Sequence, residues 1–300
     1  MGATLSRPYK IGKPLAPTDT VYRSLLRAER TSFIGCPAEL MFLILSINWR
    51  CWSRLNTPQT SDSSPSSTHF TTSADTSDKV ELNNSALLER IKAFEPDEWA
   101  VRTTLFTPQP DTQERKYLAR AYQSAVLIYF HRVIEPISHN LDEESVESDT
   151  SLVVLAHTIL VSLSLIEAHH PFIKCIIWPT FIAGAELISV ASFAPSSTVN
   201  PSKLLTPSSV SRIYYRDLTR HLLYLFWLGY RCINVVNAAK LLEKIWKKND
   251  EIAHSMSKEE YDRYERRGVW SQGVLNCADI QGPNRWKDYW IGDDVDWLFV

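Results

Sequence analysis

The sequence has little glycine and lacks the short patterns that bind phosphate groups. Only nine of the 300 residues are glycine, and G-x-G-x-x-G, G-x-x-x-x-G-K-S/T and G-x-S-x-G do not occur. Loops that cradle phosphates depend on glycine, because it lets the backbone approach the ligand closely. These absences argue against a nucleotide-binding enzyme.

The chain also has almost no net charge. Lys and Arg number 32 against 34 Asp and Glu, so the formal charge is −2 at pH 7. A protein that attracts nucleic acid through its overall field needs many uncompensated cations. DNA contact would require a local basic patch, and the sequence shows no convincing one.

Cysteines are few and widely spaced, and no two stand at a C-x-x-C distance. Together with the absence of a secretory signal, this favours reduced thiols in the cytosol or nucleus. Most lie in apolar stretches, which is typical of small core side chains. They are Cys36, Cys51, Cys175, Cys232 and Cys277.

Two apolar runs raise the question of a membrane span. Residues 152–166 contain His157 and several serines, and residues 173–190 contain Lys174, Pro179 and Glu186. A spanning helix needs about twenty predominantly apolar residues with few charges. We therefore predict buried core helices and no membrane span.

Apolar residues recur every three or four positions along most of the chain, which predicts α-helices. We expect an all-α fold, a bundle or array of packed antiparallel helices. A short helix is predicted around Tyr22 to Arg30. The longer predicted helices cover residues 38–52, 82–99, 112–134, 152–166, 173–190, 214–228 and 234–249.

The composition divides the chain into a short arm and one domain. Residues 1–30 are predicted to form a flexible basic arm, and residues 31–300 a domain with disordered Ser/Thr/Pro-rich loops at about 56–79 and 192–211. An acidic loop is predicted at 142–149. The first disordered loop contains Thr57-Pro58 and Ser64-Pro65. These are candidate phosphorylation sites, with an unmodified loop as the alternative.

Few side chains stand at the sequence spacings typical of catalytic or metal-binding sites. Glu167, His169 and His170 lie together, but they lack the H-E-x-x-H spacing of a metal site and suit a helix C-terminus before Pro171. Cys36 precedes a predicted helix, where a thiolate is stabilised, yet no histidine partner is identifiable. We assign no catalytic, cofactor-binding or metal-binding residue and expect no cofactor.

Both ends of the sequence carry a recognisable pattern. Residues 1–6 fit the myristoylation pattern M-G-x-x-x-S/T at Gly2, with a chance match as the alternative. Residues 288–300 alternate aspartates with large apolar side chains, as acidic activation segments do. The alternative is a final helix or strand that packs its aromatic side chains on the core.

Six segments, taken in order, resemble the fungal-specific transcription factor domain of zinc-cluster regulators of the acriflavine-sensitivity type. The most specific begins at Trp178-Pro179, similar to the family's tryptophan–proline signature. The six segments are 33–40, 87–99, 119–133, 178–186, 234–246 and 286–290. The resemblance covers about residues 30–300. It implies a non-enzymatic nuclear regulator of transcription that acts through partners in the transcription machinery, ligand sensing or self-association.

The sequence departs from that family in two ways. It lacks the six cysteines of the zinc cluster, so DNA contact is expected only through a missing or separate zinc-cluster domain. Residues 192–215 resemble an insertion, either a retained intron or a divergent loop. Both departures favour a truncated or imperfect gene model, with a standalone regulator as the alternative.

Two other functions stay open at the level of sequence. One is an all-α enzyme that acts on an apolar substrate inside a helical cavity. The other is a peripheral membrane protein anchored through Gly2. Any ligand cavity of the regulator would lie among residues 118–133 and 152–186.

Overall fold

The computed structural model describes residues 15–31, 36–56, 83–104, 111–134, 146–187 and 207–255. Within these ranges the chain forms nine α-helices, one 3₁₀ helix and no β-strand, which confirms the predicted all-α class. The helices are α1 (Asp19–Thr31), α2 (Ala38–Asn56), α3 (Asn84–Lys92), α4 (Pro96–Thr104), α5 (Thr112–Val133), α6 (Val146–Ser164), the 3₁₀ helix (Pro171–Cys175), α7 (Ile177–Glu186), α8 (Pro207–Tyr230) and α9 (Ile233–Ser255).

Helix α5 is the central element and confirms the helix predicted at 112–134. It packs against α2, α3, α4, α6 and α7. Its buried residues are not confined to one stripe, since Leu118, Ala119, Ala121 and Tyr122 are all buried. A helix that is apolar on most sides is stable only when neighbouring helices cover it. The surrounding helices therefore form one layer around α5.

Helix α7 is short and lies in the same core. Every residue from Trp178 to Glu186 is buried, and α7 contacts α5, α6, α8 and α9. An isolated helix of ten residues is marginal in water, so the stability of α7 comes from its neighbours. Helix α7 thus connects both α8 and α9 to the α5 core, and α8 also contacts α6 and the 3₁₀ helix.

Two helices predicted as continuous are each divided by the structure. The helix predicted at 82–99 consists of α3 and α4, which are separated by a short turn. Pro96 begins α4, because proline has no N–H to donate inside a helix and suits the first helical position. The run at 173–190 begins as the 3₁₀ helix, where His170 Nδ1 accepts a hydrogen bond from the Phe172 N–H (3.3 Å). It then continues as α7, which ends at Glu186.

Some predicted loop boundaries were also wrong. The acidic loop predicted at 142–149 overlaps α6, which begins at Val146. The break predicted at 192–211 overlaps α8. This helix begins at Pro207, since proline is favoured at the first position of a helix. The remainder of that break and residues 57–79 lie outside the described residues, as do Gly2 and residues 288–300.

Part of the predicted N-terminal arm is a packed helix. Helix α1 covers the helix predicted around Tyr22 to Arg30 and lies against α2. The Tyr22 and Phe42 rings are 5.0 Å apart between centroids. Glu29 Oε1 accepts hydrogen bonds from the Ala38 N–H and from Trp99 Nε1, both at 2.7 Å. The side chain of Glu29 thereby connects α1 to the start of α2 and to α4.

The two apolar runs do not form a membrane-spanning helix. In the described ranges, no helix is both long enough and apolar enough to cross a membrane. One run forms most of α6 and the other the 3₁₀ helix and α7, and their apolar side chains are buried in the common core.

Candidate functional site

The tryptophan–proline segment lies in the centre of the core, where tyrosines of α5 surround Trp178. The Tyr122 ring stacks on Trp178 with centroids 5.7 Å apart and planes at 19°. Tyr129 meets the same indole edge-on, at 5.9 Å and 74°. Such pairs contribute about 0.5–1.5 kcal/mol beyond the burial of their surface. This aromatic cluster fixes the start of α7 on α5.

The hydroxyl groups of the two tyrosines connect α5 to further elements. Tyr122 donates a hydrogen bond to the Cys175 carbonyl oxygen at 2.8 Å, and Tyr129 donates to Asn48 Oδ1 at 2.6 Å. Burial raises the pKa of both phenols above their usual value. At physiological pH they are therefore neutral hydrogen-bond donors and not acid–base groups.

The other end of α7 is held by a buried ion pair. Arg132 of α5 donates to Glu186 through Nε–Oε1 (3.1 Å) and Nη2–Oε2 (2.8 Å). The Glu186 side chain is fully buried and that of Arg132 is 8% exposed. The bidentate geometry offsets the cost of removing two charges from water. Sequence analysis did not select this pair, although Glu186 was visible as the one acid of the apolar run at 173–190.

A close backbone contact joins α7 to α9. Trp246 Nε1 donates to the Gly184 carbonyl oxygen at 2.8 Å. A Cβ atom on Gly184 would lie 2.8 Å from Leu242 Cδ1 and 3.0 Å from Thr219 Cγ2. Glycine at this position therefore permits the close approach of α8 and α9.

Arg216 fixes α8 to the end of α7 and to α9. Its Nη2 donates to the Leu187 carbonyl oxygen at 3.2 Å, and its Nη1 donates to Asp250 Oδ2 at 2.9 Å. The guanidinium carbon lies 5.2 Å from the centre of the Trp246 ring, a cation–π distance. Together with the Gly184 contact, these bonds hold α7, α8 and α9 as one unit.

An open groove of about 570 Å³ lies between α8 and α9. Arg220 pairs within it, through Nε to Glu243 Oε1 and through Nη1 to Asp217 Oδ1, both at 2.6 Å. The hydrogen bond to Glu243 raises the pKa of Arg220. The groove is lined by Arg216, Arg220, Glu243, Trp246, Lys247, Asp250 and Glu251. Most of these charges pair with one another across the groove.

Cys36, considered above as a nucleophile, lies in an environment that suppresses ionisation. Its side chain is buried, and its Sγ donates to the Pro37 carbonyl oxygen at 3.5 Å. Burial raises the pKa of the Cys36 thiol well above its usual value and raises that of Cys175 to about 12. A buried thiol of this kind stays protonated and unreactive.

The Glu167, His169 and His170 group is not placed as predicted. Helix α6 ends at Ser164, so these residues lie in the following turn and not at the helix C-terminus. Glu167 and His169 are exposed, while His170 caps the 3₁₀ helix. Over the ranges that the structure describes, no group of three His, Cys, Asp or Glu side chains is placed to hold a metal ion.

Two buried donors beside Tyr129 lack a hydrogen-bond acceptor: Asn48 Nδ2 and Trp178 Nε1. Trp178 belongs to the region, residues 118–133 and 152–186, where any ligand cavity is expected from the sequence, and Asn48 contacts that region through Tyr129. That cavity stays a prediction.

The comparison with protein families gives one match. The model described as "Fungal specific transcription factor domain" matches residues 11–297. No curated protein and no solved structure gives a significant match. The matched range includes α1 to α9 and continues past Ser255 into the segment that contains Trp286, Trp290 and Trp297.

Proposed function

Because the chain belongs to the fungal specific transcription factor domain family, we propose that it regulates transcription in the nucleus through contacts with protein partners. The observation that carries this proposal is the extent of the match, which includes every described helix. The family is one of transcription factor domains and not of enzymes, so the function is assigned to binding.

The packing around α7 supports an interaction module. Contacts at Trp178, Gly184 and Glu186 connect α7 to α5 and α9, which fixes the outer surface of α8 and α9 on the core. A partner binds a fixed surface more tightly than a mobile one, because less conformational entropy is lost on association. The exposed tyrosines of α8, Tyr224 and Tyr230, are of a residue type enriched in binding hot spots.

The strongly shifted side chains argue for this function over the enzyme alternative. Burial shifts Cys36, Cys175, Tyr122 and Tyr129 toward their neutral forms. A thiol or phenol that acts as a nucleophile or general base needs a pKa lowered toward neutral pH. Burial instead raises the pKa of these four groups.

Specific DNA contact is assigned to a separate zinc-cluster domain. The test is selection from a random DNA pool with this chain alone at 0.15 M salt. We expect no enriched sequence, since the chain offers no zinc-cluster cysteines for base recognition. Enrichment of a common motif would show that this chain itself reads DNA.

Nuclear action is tested by moving the chain out of the nucleus. A nuclear export signal is appended to the full chain in cells that naturally express it, and transcripts are sequenced. The matched control carries the same signal with its essential leucines changed to alanine. We expect a defined set of transcripts to change only with the working signal. Identical profiles for the two strains would contradict a nuclear regulatory role.

A further inference from the structure

Helix α6 presents an uncharged, largely apolar seam to solvent. Val154, Val161 and Leu165 are 56%, 43% and 52% exposed. Thr158, which lies between them in the sequence, is exposed as well. These four residues are spaced by four, three and four positions, which places them on one side of the helix. Residues 151–166 contain no Asp, Glu, Lys or Arg, so the outer side of α6 has the spacing and polarity of a helix-pairing surface.

Helix α8 presents a second seam of the same kind. Its members are Tyr214, Leu218, His221, Leu225 and Leu228, at spacings of four, three, four and three. Tyr214 is 60% exposed and Leu228 45%, and His221 is also exposed, while the other two leucines are half-buried. Alternating steps of three and four are the spacing of helices that pair side by side.

The two seams are neighbours on the folded protein. Helix α6 contacts α8, and the His157 ring stacks on Tyr215 with centroids 3.8 Å apart and planes at 13°. His157 stands one turn from both Val154 and Val161 on α6. On α8, the Tyr215 ring meets that of Tyr214 edge-on at 5.3 Å. We call the surface formed by the two seams the α6–α8 face.

The charged side chains next to the α6–α8 face stand beside its seams and not in them. Asp217 of α8 accepts a hydrogen bond from Arg220 at 2.6 Å, and Arg220 also donates to Glu243 of α9. In the sequence, Glu167 and Lys174 follow the seam of α6, and both are exposed. The seams themselves therefore carry no charge pattern that selects a charged partner.

The exposed area of the α6–α8 face suits a dimer. From their exposed fractions, the nine seam residues offer roughly 600 Å² per copy, against about 800 Å² per partner in a standard stable interface. The charged and polar residues beside the seams supply the remainder, since interfaces have a polar rim around an apolar centre.

A second copy of the chain is the occupant that fits this face. In a two-fold dimer the same patch lies on both sides of the interface, so it must be complementary to itself. An uncharged face meets its own copy without like-charge repulsion. Two layers of two helices also make a four-helix bundle, in which seams at this spacing interdigitate.

Other exposed apolar side chains stand beside cations. Val101 on α4 is followed by the exposed Arg102, and Tyr230 and Ile233 flank the exposed Arg231 in the turn after α8. Each of these sites would bring like charges together in a symmetric contact. The α6–α8 face is therefore better suited to self-association.

We propose that two copies of the chain associate through their α6–α8 faces, so that α6 and α8 of both copies form a four-helix bundle around a two-fold axis. This goes beyond the proposed function, because it identifies an interface and its occupant. A dimer presents every other binding surface of the chain twice. A partner with two sites is then held by avidity.

Sedimentation equilibrium of the full chain tests this proposal, over a dilution series through the micromolar range. We expect a monomer–dimer equilibrium. Val161→Glu with Leu228→Glu should raise the dissociation constant of the dimer at least about tenfold, because the charges are removed from water in the bundle. The matched control, Val101→Glu with Ile233→Glu, places two charges at equally exposed apolar positions outside the face and should leave the constant unchanged.

A gain of affinity separates the interface from damage to the fold. Thr158→Leu with His221→Leu replaces the two most polar seam positions by apolar ones. This variant should lower the dissociation constant at least about fivefold, because more apolar surface is buried on association. Circular dichroism verifies that each variant keeps its helices.

Mixing oppositely charged variants tests whether the two faces meet each other. The chain with Val161→Glu and Leu228→Glu is mixed with a chain that carries Val161→Lys and Leu228→Lys. Each should be monomeric alone, and the mixture should form a heterodimer. The expectation holds whether α6 meets α6 or α8 of the other copy, since glutamate faces lysine in either case.

Several results would overturn the proposal. They are a wild-type chain that stays monomeric throughout the dilution series, a dimer that is insensitive to glutamate in the seams, an equal loss in the control variant, and a mixture that forms no heterodimer. A monomeric wild-type chain would mean that the α6–α8 face binds something other than a second copy.

Discussion

Arg132 and Glu186 form a bidentate ion pair in the interior of the protein, 54 positions apart in the sequence. Arg132 belongs to α5 and Glu186 to α7. Trp178, at the other end of α7, packs between Tyr122 and Tyr129 of the same α5. Helix α7 is thus attached to α5 at both ends. Helices α2, α3, α4 and α6 pack on α5, and α6, α8 and α9 pack on α7.

The first prediction concerns that ion pair. Arg132→Met should lower the free energy of unfolding by about 3–5 kcal/mol, because it leaves the Glu186 carboxylate buried without its partner. The double variant Arg132→Met/Glu186→Leu should recover much of the loss, since no charge remains in the core. Urea unfolding of the full chain measures both. Additive losses in the double variant would show that the pair is not energetically coupled.

The second prediction concerns Glu29, whose side chain is 8% exposed. Glu29→Ala removes the acceptor of the Ala38 N–H and of Trp99 Nε1, so we expect a loss of about 2–4 kcal/mol. Glu29→Gln keeps one acceptor oxygen and should lose about 1 kcal/mol. Thermal or urea unfolding measures the difference. Equal losses for Ala and Gln would refute the role of the acceptor.

The third prediction compares two helical glycines. Gly184→Ala should destabilise the protein by about 1–2 kcal/mol, because overpacking against Leu242 exceeds the gain in helix propensity. Gly229→Ala is the matched control, since its Cβ meets no atom within 4 Å, and it should be neutral or slightly stabilising. Urea unfolding of both variants decides the point. A Gly184→Ala protein as stable as the control would contradict the close contact.

The fourth prediction is a loss of stability at alkaline pH. The usual thiol pKa is 9.0, and in the folded protein that of Cys36 is raised well above it and that of Cys175 to about 12. Above about pH 9 the unfolded chain releases protons that the folded chain retains. The stabilisation present below pH 9 is therefore lost toward pH 12, at up to about 1.4 kcal/mol per pH unit for each thiol.

Denaturation under reducing conditions between pH 8 and about 9 measures this slope, in a range below the usual tyrosine pKa of 10.0. The double variant Cys36→Ala/Cys175→Ala should show a flatter dependence, even if its stability at pH 8 is lower. An unchanged slope would mean that other groups cause the effect.

The helices with regular periodicity could be predicted from the sequence, and the division of others could not. Helix α5 lies within one residue of its predicted bounds, because its apolar positions repeat at helical spacing. Apolar spacing alone did not show that Pro96 begins a new helix, since α3 and α4 each continue the apolar pattern. The end of α7 at Glu186 depends on tertiary contacts that the local sequence does not specify.

The site was less predictable than the fold. The tryptophan–proline segment was recognised, but its partners Tyr122 and Tyr129 lie about fifty residues away along the chain. Glu186 was visible as an isolated acid, and its pairing with Arg132 required the packing of α5 on α7.

The central claim, regulation of transcription through protein contacts, is tested most directly by tethering. The full chain is fused to an unrelated DNA-binding domain, and the output of a reporter is measured against that domain alone. Arg132→Met and Arg132→Met/Glu186→Leu fusions, expressed at equal levels, serve as matched controls. We predict an altered reporter output that is lost with Arg132→Met and recovered in the double variant. An output equal to that of the DNA-binding domain alone, from a folded and nuclear fusion, would contradict the account.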